Sequence, residues 1–154
     1  MKLTSFTDYS LRVLMYLAAQ PGRRATIAEI AEAFDVSQNH LTKVVHFLGK
    51  RGWLANVRGK GGGMNLAVPP DQIVIGDVVR QTEGSTEVVD CYSQERGHCA
   101  IARICRLRGA LGEAVSAFHH VLDRYTLEDM VDNRQALTKV FIARSPMARN
   151  ANQG

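Results

Sequence analysis

Two short helical patterns joined by a three-residue break constrain the fold of this chain more than any other feature. Thr26 and Glu29 have the spacing of a capping box, in which each side chain caps the backbone of the other residue, so a helix begins there and runs to Phe34. After Asp35-Val36-Ser37, a second helix that Ser37 can cap carries one apolar stripe at i, i+3, i+4 and i+7. That stripe consists of Leu41, Val44, Val45 and Leu48. Two short helices joined by a tight turn predict a helix-turn-helix.

The opposite face of the second helix carries Asn39, Lys43, His46 and Lys50, and no acidic residue occurs between Ser37 and Lys60. Asn can read adenine in the major groove, and Lys can reach guanine or a phosphate. A plain solvated face is the alternative, but such a face usually includes Glu. The pattern therefore favours contact with double-stranded DNA.

A short alternating pattern follows, in which residues 53–57 and 64–68 are separated by the basic, glycine-rich sequence RGKGGG. This pattern predicts a hairpin, and a hairpin directly after a helix-turn-helix is the wing of a winged-helix domain. A nucleotide-binding loop is excluded, because the glycines lack the spacing of a phosphate-binding motif and no parallel βαβ unit surrounds them. The residues expected to contact DNA are Ser37, Gln38, Asn39, His40, Lys43, His46 and Lys50 on the helix, and Arg58 and Lys60 on the wing.

The net charge of +4 agrees with this assignment once it is divided along the chain. Residues 1–80 hold ten Lys and Arg against six Asp and Glu, whereas residues 81–154 hold nine of each sign. The positive excess therefore belongs to the half that contains the helix-turn-helix, as expected for a site that binds a polyanion. No apolar run approaches the roughly 20 residues of a membrane helix, and no secretory signal follows Lys2, so a cytoplasmic protein without a membrane partner is expected.

The N-terminal pattern from Ser5 to about Ala19 predicts a first helix that ends before Pro21. Its apolar residues lie on two faces, which implies two packing partners. Asp8 follows Ser5 by three residues, so it can serve as a capping-box carboxylate or be available as a ligand.

Three cysteines lie close together with the spacing C-x7-C-x5-C: Cys91, Cys99 and Cys105. Three neighbouring thiolates suit zinc or an iron-sulfur cluster, although the paired C-x2-C of zinc ribbons and ferredoxins is absent. Three buried reduced thiols are the alternative, but the segment is too polar to bury them. A fourth ligand is available from His98, His119, His120 or a carboxylate elsewhere. A catalytic thiol, with His98 as its base, is a remote alternative because no nucleophile motif is recognisable.

From Ile104 onward, apolar residues step by 3, 4, 3, 4 and 3, which is the seam of a helix that pairs with another helix. The seam consists of Ile104, Leu107, Leu111, Ala114, Phe118 and Val121. We expect no second long helix in the chain to cover it, since the tail SPMARNANQG has the composition of a disordered segment. A homodimer is therefore predicted, and its twofold axis would match a palindromic operator.

Four segments resemble a known family: LTSFTDYSLRVLMYLAA, VSQNHLTKVV, VRGKGGG and IGDVVRQTE. Together with Asp8, the Asn39-His40 pair and the three cysteines, they are similar to the winged-helix iron-sulfur repressors over roughly residues 1–130. The nitric-oxide-sensing members match more closely than the regulators of cluster biogenesis, which have a histidine where this chain has Arg108.

This resemblance implies an iron-sulfur cluster held by the three cysteines, with Asp8 as a further ligand that can come from the partner subunit. A 4Fe–4S cluster is favoured over a 2Fe–2S cluster. The resemblance also implies that nitric oxide is the signal, and that its reaction with the cluster releases operator DNA. A family member that senses iron or cluster supply, and a winged-helix regulator based on zinc or thiol redox chemistry, are the alternatives.

The sequence thus predicts a mainly α fold with a small β-hairpin wing. The winged helix-turn-helix domain spans residues 1–80, with the helix-turn-helix at about 26–50 and the wing at about 53–68. A cysteine loop at 81–106, a dimerisation helix at 103–124 and a C-terminal segment at 125–154 with a disordered tail follow. The expected function is a homodimeric transcriptional repressor and not an enzyme.

Overall fold

A computed structural model describes residues 2–57, 59, 61–84 and 99–144. Within these ranges the chain forms α1 (Ser5–Ala18), α2 (Ile27–Phe34), α3 (Gln38–Lys50), β1 (Leu54–Val57), β2 (Gly63–Leu66), α4 (Ile75–Glu83), α5 (Arg106–Leu122) and α6 (Arg134–Arg144). Two 3-10 turns, Pro70–Gln72 and Asp129–Val131, connect β2 to α4 and α5 to α6. The predicted fold class, mainly α with one antiparallel hairpin, is confirmed.

Helix α1 lies at the centre of the fold, because it packs against both α3 and α4. Its buried side chains join those of the other elements in one core, whose largest fully buried members are Leu14, Ile30, Leu41, Leu48, Ile73 and Leu127. The predicted N-cap Ser5 is wrong by one position: Thr4 is the N-cap, and its hydroxyl accepts a hydrogen bond from the Thr7 amide at 3.3 Å. The capping role considered for Asp8 is also wrong, since its carboxylate pairs with Arg12.

The helix-turn-helix forms as predicted. Thr26 Oγ1 accepts a hydrogen bond from the Glu29 amide at 3.2 Å, and Glu29 Oε2 accepts one from the Thr26 amide at 2.7 Å, so the capping box is confirmed. Asp35 ends α2 in the left-handed conformation, with φ of 54°. Ser37 occupies the N-cap of α3, although its side chain makes no capping hydrogen bond within the described part of the chain. The predicted apolar stripe of α3 is buried.

The wing is a two-stranded antiparallel sheet in which Leu54 pairs with Leu66 and Val57 with Gly63. Met64 also exchanges two backbone hydrogen bonds with Ala25, at 2.8 and 3.0 Å, which ties the wing to the segment before α2. Gly63 has φ of 147°, and a Cβ there would lie 2.9 Å from the Ala25 carbonyl oxygen. A side chain at this position would therefore push the wing away from the helix-turn-helix.

The segment after α5 returns to the core. Leu127 N donates to the Ile73 carbonyl at 2.8 Å, and Ile75 N donates to the Tyr125 carbonyl at 2.9 Å. Leu127 and Val131 are fully buried. These contacts hold the segment after α5 against the start of α4, which extends to Glu83.

Helix α6 was not predicted from the sequence: residues 134–144 of the C-terminal segment form a helix packed on α1 and α2. The Phe141 ring lies 4.7 Å from that of Tyr16 and 5.4 Å from that of Phe34, measured between centroids. Arg144 Nη1 donates to the Ala33 carbonyl at 3.3 Å near the end of α2, where a positive charge is favourable. The predicted disordered tail, residues 145–154, lies outside the described residues.

Candidate functional site

The polar face of α3 is open to solvent along its whole length. Every residue predicted there to contact DNA is exposed: Ser37, Gln38, Asn39, His40, Lys43, His46 and Lys50. Burial of the opposite stripe fixes this orientation, since the helix cannot rotate without exposing that stripe. The structure thus brings the predicted helix residues together on one surface, and their contact with DNA stays a prediction.

A groove of about 590 Å³ separates the wing from α2 and α3, and Thr26, Thr42, His46 and Asn56 contribute to its lining. Thr26 and Asn56 were not predicted as site residues, because Thr26 was interpreted only as a helix cap and Asn56 only as a strand residue. Arg24 was also missed: its Nη1 donates to the Gly61 carbonyl at the wing tip at 3.5 Å. The adjacent arginines at 23 and 24 were the signal that could have identified it. Arg58 and Lys60 lie outside the described residues.

Two aromatic contacts join α1 to α3. Phe6 and Phe47 meet edge to face with centroids 5.3 Å apart. Nearer the start of α3, the rings of Tyr9 and His40 are stacked at 6.2 Å. The position of α3 is therefore set by α1, the helix that carries Asp8.

Asp8 is half-buried and forms a two-point ion pair with Arg12. Arg12 Nη2 lies 2.9 Å from Asp8 Oδ2, and Arg12 Nε donates to Asp8 Oδ1 at 3.0 Å. The Arg12 guanidinium also lies 5.6 Å from the centroid of Phe34, the last residue of α2. In this structure, Asp8 is thus linked through Arg12 to the turn of the helix-turn-helix.

A hydrogen-bonded cluster joins the start of α1 to the end of α4. Glu83 Oε1 accepts from the Thr4 amide at 2.7 Å and from the Thr4 hydroxyl at 3.0 Å. The buried Thr7 hydroxyl donates to Thr82 Oγ1 at 2.8 Å. Burial raises the pKa of the Glu83 carboxyl, but the hydrogen bonds from the start of α1 outweigh this effect and hold the pKa below its usual value. The start of α1 is therefore fixed beside Glu83, the last residue of α4.

Two of the three cysteines lie within the described ranges. Cys105 is half-buried at the N-cap of α5. Cys99 is exposed and lies six residues earlier, before a series of turns. Cys91 and His98 lie outside the described residues, within which no group of three metal-ligating side chains is found. Of the other ligands considered, His120 is exposed and His119 half-buried on α5.

The start of α5 lacks the usual negative groups. Arg106 and Arg108 occupy its first turn, where α5 has no acidic residue, and the Cys105 side chain makes no capping hydrogen bond within the described ranges. Positive side chains at a helix N-terminus are unfavourable unless an anionic group lies near them. Soft thiolate donors beside such a helix start fit a negatively charged iron-sulfur centre better than a hard cation.

Most of the predicted seam is uncovered. Ile104, Leu107 and Val121 are 81%, 65% and 43% exposed, although a monomer rarely exposes such a row of large apolar side chains. Phe118 differs, since it packs partly against the core. Within the described part of the chain, no residue of α5 is fully buried.

The C-terminal end of α5 is held by a charged bridge. Arg80 Nη2 on α4 contacts Asp77 Oδ1 and Asp123 Oδ1, each at 2.7 Å. The hydrogen bond from Arg80 holds the pKa of Asp123 below its usual value. Helix α5 is therefore anchored to α4 at one end, while Cys105 lies at its other end. In the described ranges, no helix has both the length and the apolar character needed to cross a bilayer.

Comparison with known proteins agrees with this arrangement. A sequence profile of the Rrf2 family, described as an iron-dependent transcriptional regulator, matches residues 3–133. The HTH-type transcriptional regulator NsrR of Bacillus subtilis (strain 168) is 46% identical over 142 residues, which cover 92% of this chain and 97% of that protein.

Solved structures of other named regulators share the fold. IscR from T. potens superposes with a TM-score of 0.70 at 26% identity and covers 86% of this chain and 88% of its own. The oxidised form of Staphylococcus aureus CymR gives 0.68 at 26% identity, with 86% and 97% of the two chains covered. The chain therefore belongs to the Rrf2 family of iron-dependent transcriptional regulators, and it is a winged-helix transcriptional repressor rather than an enzyme.

Proposed function

We propose that this repressor binds palindromic operator DNA as a homodimer, carries an iron-sulfur cluster and releases the operator when nitric oxide damages that cluster. Its similarity to a regulator named NsrR supports the assignment. Nitric oxide as the signal rests on the resemblance carried by the FTDY segment, the Asn39-His40 pair and the three cysteines.

The exposed face of α3 supplies the reading surface. The first residues of a recognition helix reach base edges in the major groove, and here those residues are Gln38, Asn39 and His40. Lys43 and Lys50 follow on the same face and suit phosphate or guanine contacts. Positive charge on the wing adds affinity that falls as salt concentration rises.

The exposed seam of α5 supplies the dimer contact. Pairing with the same seam of a second copy covers Ile104, Leu107 and Val121, which are exposed in the single chain. Such a contact is isologous, so the two reading helices are related by a twofold axis. A palindromic operator has the same symmetry, and each half-site then binds one subunit.

Cys91, Cys99 and Cys105 would hold the cluster, and a 4Fe–4S form is favoured over a 2Fe–2S form. Thiolate-bound iron supplies the reactivity toward nitric oxide. The exposed Arg106 in the first turn of α5 supplies positive charge near such a centre. The family resemblance implies that Asp8 would complete the ligand set, and that it can come from the partner subunit.

The observation that carries the proposal is that α1 bears Asp8 and packs on both α3 and α4. Use of the Asp8 carboxylate as a ligand would weaken its two-point pair with Arg12, because the metal would draw on the same negative charge. A change of partner at Asp8 therefore frees or fixes the guanidinium beside Phe34 at the end of α2. Coupling of about 1 to 3 kcal/mol, or roughly 5- to 150-fold in affinity, is enough for a repressor to switch.

The test is to purify the protein without oxygen, record its visible absorption and titrate nitric oxide while operator binding is followed by fluorescence anisotropy. We expect a brown protein whose absorption bleaches as the operator is released. A variant with all three cysteines changed to Ser is the control, and its operator binding should not respond to nitric oxide.

Two results contradict the proposal. A colourless protein that binds zinc indicates a zinc- or thiol-based regulator. A brown protein whose operator affinity ignores nitric oxide but changes with iron supply indicates a sensor of iron or of cluster supply.

A further inference from the structure

The first turn of α3 meets α1 through one ring pair of particular interest. The rings of Tyr9 and His40 have centroids 6.2 Å apart and planes inclined by 26°, within the range of an offset stack. Tyr9 directly follows Asp8 in α1, and His40 lies in the first turn of α3 on the exposed reading face. The stack thus joins the neighbour of a proposed ligand to a side chain expected to contact DNA.

The surroundings of this stack leave room for movement. A cleft of about 120 Å³ lies beside it and is lined also by Phe6, Lys43 and Val44. The cleft opens to solvent, so water rather than packed side chains borders this side of the stack. Farther along α3, Phe6 and Phe47 meet edge to face at 5.3 Å.

The two aromatic contacts act on different parts of α3. The edge-to-face pair of Phe6 and Phe47 holds the second half of α3 against α1. At the cleft, the Tyr9 ring is a contact of α1 with the exposed side of the first turn of α3, whose buried side is held in the core by Leu41. A movement of α1 near Asp8 would therefore reach the imidazole of His40 through the Tyr9 ring.

We propose that Tyr9 is a positioning residue that transmits the state of Asp8 to His40, and so fixes the first turn of the recognition helix for operator binding. This inference rests on the proposed function, because it assumes that cluster loss changes operator affinity. It adds a route from Asp8 to the reading face of α3 that is separate from the Arg12 contact at the end of α2.

The test compares Tyr9→Leu, which removes the ring, with Tyr9→Phe, which keeps it. Phe6→Leu is the matched control, since it weakens the other aromatic contact between the same two helices. For each variant, the operator Kd is measured in the cluster-loaded and the cluster-free form, together with visible absorption and thermal unfolding. If Tyr9→Leu does not fold, Tyr9→Met takes its place, because its flexible side chain adapts to the space better than Leu and has no ring.

We expect Tyr9→Phe to keep the wild-type ratio of the two Kd values. Tyr9→Leu should reduce that ratio about fivefold or more with unchanged cluster absorption. Phe6→Leu should lower the unfolding temperature and leave the ratio unchanged. A purely structural role for Tyr9 predicts the opposite result, with lower stability in Tyr9→Leu and an unaltered ratio, and this outcome overturns the proposal.

A second measurement separates this inference from the proposed function. The form that binds the operator is tested for discrimination between the operator and a copy with one substituted base pair in each half-site. Tyr9→Leu should reduce this discrimination roughly fivefold, because His40 loses its fixed orientation. If the wild type shows equal Kd values with and without the cluster, the proposed function fails. The positioning role of Tyr9 is then tested only by the discrimination between the operator and its substituted copy. Unchanged discrimination in that case overturns the positioning role.

Discussion

Helices α2 and α5 begin in opposite ways. The start of α2 is closed by its own residues, since Thr26 and Glu29 cap each other's backbone. The start of α5 has a cysteine at the N-cap without a side-chain hydrogen bond in the described ranges, followed by Arg106 and Arg108. The start of α5 therefore lacks the local capping box that stabilises the start of α2.

The same difference extends to the two regions around these helices. Helices α1 to α4 share one core with the end of the chain, and their apolar faces are covered. Helix α5 leaves Ile104 and Leu107 exposed. We infer that the reading region folds on its own packing, whereas the region around α5 is completed by a second copy and by a cluster. Each of the following experiments tests this division.

The largest effect is expected from a charge in the seam. Leu107→Glu places a carboxylate from each copy in the dimer contact, where burying an unpaired charge is costly. We expect a monomer with native unfolding of the reading region and an operator affinity reduced about 100-fold or more, because two linked half-sites bind far more tightly than one.

Analytical ultracentrifugation gives the oligomeric state of this variant, and anisotropy gives its operator affinity. Ser116→Glu is the control, since Ser116 is exposed on α5 away from the seam. A dimeric Leu107→Glu protein with wild-type affinity would show that the seam is not the dimer contact.

The second effect concerns the cysteines. Cys105→Ser should remove the visible absorption and weaken operator binding up to about 100-fold, the upper part of the usual range for coupling between sites. The thermal unfolding of the reading region should change little, because Cys105 lies at the end of α5 away from Phe118 and Leu122, which pack against the core. Absorption, iron content and operator affinity are measured together.

His120→Gln is the control for the cysteine variant, because its exposed side chain lies on the same helix. It should keep both the cluster and the affinity. A Cys105→Ser protein that lacks iron but represses normally contradicts the link between cluster and DNA binding.

A smaller effect is expected from Asp8→Ala. Loss of a ligand should speed the removal of iron by a chelator about tenfold or more, since even an outer-shell partner contributes that much to metal affinity. The unfolding of the cluster-free protein should be nearly unchanged, because an exposed ion pair contributes little. Arg12→Gln breaks the same pair but keeps the carboxylate, so it should retain the cluster. Equal rates of iron loss in the wild type and Asp8→Ala would show that Asp8 is not a ligand of the cluster and only pairs with Arg12.

Local signals account for the parts of the fold that the sequence predicted. The capping box at Thr26, the stripe of α3 and the hairpin around the glycine-rich tip each depend on residues a few positions apart. The N-cap of α1 was displaced by one residue because Thr4 and Ser5 are both good caps, and the choice of Thr4 is accompanied by its contact with the distant Glu83. A helical wheel of α1 alone does not contain that contact.

Long-range packing explains what the sequence did not predict. Helix α6 is buried through Phe141, whose partners Tyr16 and Phe34 lie more than a hundred residues earlier. The polar face of α3 could be predicted as a set, but its ring contact with Tyr9 could not, because no periodicity relates α1 to α3. The exposed seam was predicted by its heptad spacing, and its partner stays a prediction.

The smallest effect provides the strictest test of the division between the two regions. Thr26→Ala removes a cap that the reading region supplies for itself, so it should lower the free energy of unfolding by about 1 kcal/mol. The loss should be the same with and without the cluster, because the capping box is complete within α2. Urea denaturation of both forms measures it, and Thr26→Ser, which keeps the hydroxyl, should unfold like the wild type. A loss that depends on the cluster would show that the start of α2 senses the state of α5, and that the reading region is not independent.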